Sequence, residues 1–363
     1  MVRRNHIHPS ATVHRRDFLR LTGLAFGGAV LASCSAKGDP ATSSVPATPT
    51  QPPTPTVRAT VAERNYSYVT VQYPKSVKTT LYGINNKGNT AGYFSDGRGT
   101  HGFLRSADGA ISAALDHPEA GTTTALFGVN GAGDAVGYYH AKSDKGGYPG
   151  TTSLPPTGVS AFVYSAAAQR FEPIAPPEDG TGTVVAFGVN DSGLVSGWYF
   201  ARDPSGQSEA VAKGFVWSGK ERRHVDTFRH PDDTGGGTFA TGVNGAGLVV
   251  GQLIGPDKST RVFIRDSTRR TFVASSFGYP NLRENEGGTG AMAISDSGVV
   301  AGFYLDTKGT HAYLRTDQST FVALRYPPAT AGMSACGVNE SGVVVGDFND
   351  SSGANLGYLA TPA

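Results

Sequence analysis

The sequence predicts an all-β protein, namely a six-bladed β-propeller with four-stranded blades. Three observations predict this fold: one cassette recurs six times, short strand-like segments follow each copy in the same order, and the segments at the two ends of the repeat region complement each other. The copies begin 45, 60, 54, 51 and 44 residues apart, at Gly83, Gly128, Gly188, Gly242, Ala293 and Gly337. Self-similarity at such a period is typical of propellers and other repeat proteins.

Each cassette predicts a β-hairpin with a tight turn. The first copy reads GINNKGNTAGYF and has Asn85 at the first turn position and Gly88 at the fourth. This pair is typical of a type I turn, in which the Asn side chain bonds backbone two residues further on. In the fifth copy Ser295 replaces the asparagine. The acidic copies NDSG and SDSG also suggest a calcium loop, but GVNGAG lacks the acids that calcium needs, so we expect no metal and no cofactor.

Small residues mark two further positions of the cassette. The first residue of each copy is Gly or Ala, which we expect on the innermost strand, where six blades crowd the axis. A second glycine, such as Gly92 or Gly137, falls inside the following strand, where glycine costs stability unless a neighbour needs the space. We expect that neighbour to be an aromatic or aliphatic side chain such as Phe103 or Phe162.

The two ends of the repeat region predict how the ring closes. Each unit supplies an inner, a second, a third and an outer strand, but the last unit ends at Ala363 without an outer one. The segment SYVTVQYP at 67–74 precedes the first unit and matches the outer-strand pattern. If it completes the last blade, no long strand edge is left exposed. The predicted propeller domain is therefore 66–363.

The repeat also resembles a known family. The pattern T-x-x-x-G-[VI]-N-x-x-G-x-x-x-G followed by H-[AG]-[FY] is similar to the HAF family of extracellular repeats and covers essentially all of 66–363. His101 and His311 keep the histidine of that pattern, and the other copies depart from it at Ser160, Lys213, Arg261 and Leu356. The resemblance implies a secreted or surface-attached repeat protein.

Residues 1–33 are predicted to be an export signal rather than part of the fold. Arg15 and Arg16 with the residues that follow resemble a twin-arginine signal, and the apolar stretch 21–33 has thirteen residues, too few to span a bilayer. The segment Leu31-Ala32-Ser33-Cys34 resembles a bacterial lipobox, which implies lipidation of Cys34. We therefore expect an exported protein, lipid-anchored on the outer side of the bacterial cytoplasmic membrane or in the cell envelope.

Residues 34–65 are rich in Pro, Thr and Ser, and this composition predicts a disordered linker that acts as an extended spacer. The signal contributes +4 to the formal charge of +2, so the rest of the chain is about −2. A nearly neutral chain without a basic run argues against nucleic acid as a partner. Without Cys34, Cys336 is the only thiol. We expect it to be small, buried and without a nearby base, and we expect a monomer.

Function is expected on the face of the ring that carries the loops of variable length. The candidate ligand-binding residues there are acids, aromatic residues and one histidine: Glu119, Tyr148, Asp179, Trp198, Tyr199, His230, Asp232, Glu284 and Glu286. Two functions compete. The first is a non-catalytic binding or scaffold module for an extracellular glycan, envelope polymer or protein. The alternative is a glycan hydrolase or lyase that uses loop carboxylates, but no catalytic motif identifies a catalytic residue.

Overall fold

The computed structural model describes residues 59–142, 158–202, 210–255, 259–282 and 287–363. Within these ranges the regular secondary structure is entirely β-strand, and no helix there is long and apolar enough to cross a membrane. The strands are β1 Thr60–Ala62, β2 Tyr66–Val71, β3 Lys78–Ile84, β4 Thr90–Ser95, β5 Thr100–Arg105, β6 Ala120–Val129, β7 Ala135–Ala141, β8 Val159–Ser165, β9 Arg170–Ile174, β10 Gly180–Val189, β11 Leu194–Ala201, β12 Val211–Ser218, β13 Arg223–Phe228, β14 Thr238–Val243, β15 Leu248–Ile254, β16 Thr260–Asp266, β17 Thr271–Phe277, β18 Thr289–Ile294, β19 Val300–Asp306, β20 Gly309–Arg315, β21 Thr320–Ala323, β22 Gly332–Val338, β23 Val344–Asn349 and β24 Asn355–Pro362.

The described strands pair as six antiparallel units that follow the chain. Four units have four consecutive strands each, β6–β9, β10–β13, β14–β17 and β18–β21. The first unit, β3–β5, lacks a regular fourth strand, and its outer segment forms only the isolated bridges Gly102↔Leu115 and Arg105↔Ile111. The last unit, β22–β24, is completed by β2, which pairs antiparallel with β24 along its whole length. The N-terminal strand therefore completes the last blade, as predicted.

The inner strands form a closed ring. Strands β3, β6, β10, β14, β18 and β22 contact one another in that order, and β22 contacts β3. Single parallel bridges, Asn355↔Lys78 and Thr100↔Thr123, also join neighbouring units. The prediction of an all-β propeller is confirmed, and the seam of the ring lies where the two ends of the repeat region meet.

Ordered structure begins before residue 66, where the predicted linker ends. Strand β1 pairs parallel with β21, from Thr60↔Thr320 to Ala62↔Val322, and adds a fifth strand to the fifth unit. The three residues Thr-Val-Ala suit an edge strand, because β-branched side chains fit a pleated surface. The rest of the linker and the export signal, with Arg15, Arg16 and Cys34, lie outside the described residues.

The cassette turns form as predicted. In all six, the backbone amide of the fourth residue donates to the carbonyl of the first, at distances of 3.0 Å. Gly88 has φ +82°, which glycine adopts without strain. The Oδ1 atom of Asn85 accepts hydrogen bonds of 3.0 Å from the amides of Lys87 and Asn89.

The other end of the asparagine side chain does something that the repeat pattern did not predict. Nδ2 of Asn85 donates to the Asn130 carbonyl of the next unit at 2.8 Å. Asn190 and Asn244 donate to the following unit in the same way, and Asn339 donates across the seam to Asn85 at 3.2 Å. One side chain thus folds its own turn and ties it to the neighbouring turn.

The acids of the NDSG and SDSG turns also bind neighbouring units. Oδ1 of Asp191 accepts from the amide of Gly131 at 2.6 Å, and Asp296 accepts from the amide of Gly245. Across the part of the chain that the structure describes, no cluster of three His, Cys, Asp or Glu side chains is arranged to hold a metal ion. Asp191 and Asp296 therefore serve the contacts between units.

The first glycine of the cassette lies where neighbouring inner strands touch. A Cβ on Gly83 would lie 2.3 Å from the Phe127 carbonyl oxygen, and one on Gly188 would lie 2.9 Å from Cα of Gly242. Contacts this short are impossible for a real Cβ, so crowding at the axis explains the small residue. This prediction is confirmed.

The second glycine needs a different explanation from the one predicted. A Cβ on Gly92 would lie 2.1 Å from the Thr80 carbonyl oxygen on the paired inner strand, and the ring of Phe103 is not among its three nearest neighbours. At Gly197 the nearest atom is again a carbonyl oxygen, followed by the ring of Phe215 at 2.6 Å. The inner strand bulges at this point, so its backbone, more than a neighbouring side chain, leaves no room for a Cβ.

The double role of the asparagine predicts a stability difference between two variants. Asn190→Ala removes the bond to Asn244 and those from the amides of Ser192 and Leu194, and we expect a loss of roughly 2–4 kcal/mol because these groups are buried. Asn190→Ser should cost clearly less, since a serine at this position still accepts the turn bond, as Ser295 does in the fifth unit. Chemical denaturation measures the free energy of unfolding of both variants. If Asn190→Ser were as stable as the wild-type protein, the hydrogen bond between units would contribute nothing to stability.

Candidate ligand-binding site at the propeller axis

A bulge in each inner strand turns one residue out of the pairing. In the first unit Leu81 pairs with Gly92 and Gly83 with Ala91, so that Tyr82 has no partner on β4. A bulge re-aims the side chain of its extra residue. The corresponding unpaired residues of the other units are Phe127, Phe187, Thr241, Met292 and Cys336. Together with Tyr82 they line a cavity of about 90 Å³ on the axis of the ring.

One half of this cavity is aromatic. The rings of Phe127 and Phe187 stack at 4.4 Å, and Phe127 lies 4.5 Å from the ring of Tyr82 and 5.5 Å from that of Tyr138. Phe127 is buried, whereas Tyr82, Tyr138 and Phe187 are partly exposed. We call these three side chains the axial aromatic wall. Tyr82 and Phe187 line the cavity, and Tyr138 adjoins them through its contact with Phe127.

A polar group, the seam cluster of Lys78, Cys336, Asp347 and Asn355, lies between the last unit and the first. Nδ2 of Asn355 donates to Oδ2 of Asp347 at 2.9 Å, and Sγ of Cys336 donates to Oδ1 at 3.8 Å. Asn355 also pairs with Lys78 across the seam, and Nζ of Lys78 lies 5.4 Å from the ring centre of Tyr93. Cys336 also lines the axial cavity, so the cluster adjoins that cavity through this residue.

Burial dominates the electrostatics of the seam cluster. It lowers the pKa of Lys78 to about 8, although the charge of Asp347 opposes this. Burial raises the pKa of Asp347, against the hydrogen bond from Asn355 and the charge of Lys78. It also raises the pKa of the Cys336 thiol well above its usual value. The amine and the carboxyl thus titrate closer to neutrality than usual, while the thiol stays protonated.

Sequence analysis found only part of this cluster. Cys336 is 4% exposed, as expected of a small buried residue. The expectation that no acid–base group lies near it is wrong, because Asp347 on the paired strand contacts it. Lys78 and Asp347 lie at opposite ends of the repeat region, so only closure of the ring brings them together. Their charge at repeat positions that other units fill with uncharged residues was the available signal.

Two aromatic candidates lie in the core instead of on the surface. Tyr199 is fully buried, and Trp198 is 6% exposed with its ring 5.4 Å from that of Phe239. Both belong to a second strand, whose two faces are each covered by a neighbouring unit. The expectation that they offer flat contacts to a ligand is therefore wrong.

His230 is also a core residue. The residue is 2% exposed. Its ring packs edge-on against the ring of Phe272, with 4.4 Å between the two ring centres. Nδ1 of His230 accepts a hydrogen bond from the amide of Asp232 at 3.1 Å, and this bond orders the connection between units. His230 therefore does not face a ligand, whereas Asp232 is exposed.

The loop acids have local partners. Glu119 accepts a hydrogen bond from the Tyr139 hydroxyl at 2.9 Å. Asp179 accepts one from the Tyr199 hydroxyl at 2.9 Å and one from Nζ of Lys213 at 2.7 Å. Burial alone would raise the pKa of Asp179. The two hydrogen bonds outweigh burial, so that the pKa of Asp179 lies below its usual value.

Among the described residues, the acids that were candidates for catalysis do not form a pair. Glu119, Asp179 and Asp232 lie on three successive connections between units, and the partners found for them within the described ranges are local. Tyr148, Glu284 and Glu286 lie outside the described residues.

The fold and the axial cavity define a β-propeller protein with a partly aromatic central opening. No protein-family model matches the chain, and no curated protein matches its sequence.

Solved structures resemble it in fold. They include virginiamycin B lyase from Staphylococcus aureus, with 9% identity and a TM-score of 0.45 over 82% of this chain and 100% of that one. A fucose-specific lectin from Aleuria aurantia has 12% identity and a TM-score of 0.41 over 80% and 93% of the two chains. An ulvan lyase has 10% identity and a TM-score of 0.40 over 81% and 84%. At such identities and scores, neither ligand nor chemistry follows from the likeness.

Proposed function

We propose that the protein is a non-catalytic binding module that takes a glycan at the axial aromatic wall. The observation that carries the proposal is a group of three partly exposed aromatic side chains around Phe127: Tyr82 and Phe187 line the axial cavity, and Tyr138 contacts Phe127 beside it. Rigid aromatic rings provide contact area at little cost in conformational entropy, and the hydroxyl of a tyrosine adds a polar contact. Sugar rings, with apolar C–H faces and hydroxyl edges, match this combination.

The placement of the acids supports binding without cleavage. A glycan hydrolase needs two carboxyl groups at a set separation on either side of the scissile bond. Glu119 and Asp179 each lie beside a tyrosine of their own unit, and Asp179 also binds a lysine. Carboxylates committed to separate structural contacts are poor candidates for a catalytic pair. An envelope polymer or a protein surface with exposed rings would use the same wall.

The proposal places this module on the cell surface. Export through the signal that contains Arg15 and Arg16, with lipidation of Cys34, would attach the chain to the membrane. The Pro-rich segment after Cys34 would hold the ring away from the lipid. A binding opening at the end of such a spacer would be accessible to polymers of the cell envelope.

The binding proposal predicts that a glycan array identifies a ligand. It also predicts that substitutions at two neighbouring tyrosines change the affinity for this ligand differently. The probe is the soluble chain from residue 35 to 363, which keeps β1. Tyr138→Ala should weaken binding about 10-fold or more, since it removes one ring of the wall. Tyr139→Phe should bind normally, because consecutive strand residues face opposite sides and the ring of Tyr139 stacks on His117 at 3.7 Å.

Thermal unfolding of both variants provides the control for folding. Normal binding by a folded Tyr138→Ala variant would contradict the axial location. Cleavage of a bound glycan would contradict the non-catalytic proposal and would make Glu119, Asp179 and Asp232 the residues to mutate next.

The surface proposal predicts that Cys34→Ala releases the protein from the membrane. The wild-type protein should fractionate with membranes and incorporate labelled fatty acid, because a diacylglyceryl cysteine with an N-acyl chain supplies more than one hydrocarbon anchor. The variant should be soluble and unlabelled. Arg15→Lys together with Arg16→Lys should leave the protein in the cytoplasm. Membrane attachment of Cys34→Ala would show that a lipid on Cys34 is not the anchor.

A further inference from the structure

Two turns on the outside of the ring are basic. They connect the third strand with the outer strand in the third unit (β10–β13) and the fourth unit (β14–β17), and they read GKERR at 219–223 and DSTRR at 266–270. Together they carry five cations and two acids, a formal charge of +3, whereas the chain after the signal is about −2 as a whole. The corresponding turns of the first, second and fifth units read SADGA at 106–110, AAAQ at 166–169 and TDQS at 316–319. These three turns form without a basic residue, so the turn itself does not require one.

Folding brings the two basic turns together on one face of the ring. Nη2 of Arg270 donates to the carbonyl of Val225 at 2.8 Å, so the turn of the fourth unit lies against the outer strand of the third. The amide of Gly219 donates to the carbonyl of Gly193 in the cassette turn of its own unit at 2.9 Å, and the fourth unit has the same contact. The basic turns therefore lie on the face that carries the cassette turns, but farther from the axis.

The side chains of these turns are open to solvent. The four arginine side chains are 61–79% exposed, and the lysine is exposed as well. We call these five residues the basic rim: Lys220, Arg222, Arg223, Arg269 and Arg270. Nη1 of Arg222 donates to Glu172 at 2.8 Å, and Nη1 of Arg269 donates to Asp266 at 2.5 Å. A guanidinium group has five N–H donors, so these partners use only part of its capacity.

We propose that the basic rim is a second binding surface, which takes a linear polyanion that carries phosphate or carboxylate groups. Guanidinium groups recognise such oxyanions with strong, often paired hydrogen bonds. Several of these groups side by side on two neighbouring units match a chain that repeats its charge. The surface lies on the outside of the ring, so this binding does not depend on the axial aromatic wall.

The acids of the cassette turns favour a chain over a flat membrane as the partner. Asp191, Asp296 and Glu340 are exposed on the same face, nearer the axis than the basic rim. An anionic membrane laid against this face would bring its headgroups to these carboxylates as well, and like charges repel. A chain that follows the rim meets the basic residues and leaves the cassette turns uncovered.

Binding to two polyanions of different chemistry tests the proposal. The soluble chain from residue 35 to 363 is titrated with long-chain polyphosphate and with polygalacturonate, and dextran serves as the uncharged control. We expect both polyanions to bind at about 0.1 M salt and dextran not to bind at this surface. Raising the salt to about 0.5 M should weaken polyanion binding about 10-fold or more, because exposed charges are screened.

A double variant locates the surface. Lys220→Glu together with Arg223→Glu reverses two charges of the rim and should weaken binding of both polyanions about 10-fold or more. These two positions are chosen because Arg222 and Arg270 also bind the neighbouring unit. Thermal unfolding checks that the variant folds, and the comparison of polyanions with dextran in the wild-type protein decides the proposal without any variant.

The matched control makes the same charge change on the opposite face. Lys142 follows the second strand of its unit, and Lys308 lies between a second and a third strand; both are exposed. Lys142→Glu together with Lys308→Glu should bind both polyanions within about two-fold of the wild-type protein, because these positions lie beyond a screening length of about 10 Å. Tyr138→Ala should also bind normally, which separates this surface from the proposed glycan site.

Three results would overturn the proposal. The first is a wild-type protein that binds neither polyanion. The second is an equal loss of binding in the two double variants, which would show that net charge alone is responsible. The third is binding to vesicles of phosphatidylglycerol without binding to either polyanion, which would make a membrane surface the partner of the rim.

Discussion

The ring depends on the side-chain amide of the turn asparagine, which forms hydrogen bonds both within its own turn and to the next unit. In the cassette turns Oδ1 of asparagine holds the turn and Nδ2 binds the next unit, so that local and long-range structure share one side chain. A hairpin alone is marginally stable in water, and a unit that binds its neighbour through its own turn cannot loosen without disturbing that turn. The bond from Asn339 to Asn85 carries the same contact across the seam, between the last unit and the first. Acids such as Asp191 add a second row of bonds between units at the positions where the sequence has them.

The sequence was informative wherever one residue type has one physical reason to recur. The turn at Asn85, the crowded glycine at Gly83 and the closing strand β2 all follow from repeated local patterns, and the structure has all three. The bonds between units could not be predicted in this way, because a repeat pattern reports what each unit needs and is silent on which unit it touches. Strand β1 was missed for a related reason. Its three residues lie in a Pro-rich segment, and its partner among the described strands, β21, is far away in the sequence.

The candidate site followed the opposite rule. Trp198, Tyr199 and His230 were chosen for their chemistry, but a β-propeller covers both faces of each blade and buries such residues. The axial aromatic wall was missed because Tyr82 and Phe187 directly precede the first glycine of the cassette and Tyr138 directly follows the second, positions that look like core in a single strand. Only the bulge opposite the second glycine turns Tyr82 and Phe187 towards the axis. The tight, repetitive turns stabilise one face of the ring. Residues that depart from the repeat lie at the axis and at the seam.

The central claim is that a ligand binds at the axis, and the two methionines of the chain after the signal test it most directly. Met292 lines the axial cavity, whereas Met333 is 5% exposed in the core of the last unit. In an NMR spectrum of the protein labelled with ¹³C-methyl methionine, addition of a glycan that the array identifies should shift the Met292 methyl signal and leave the Met333 signal in place. Binding that saturates without moving the Met292 signal would place the ligand away from the axis and contradict the account.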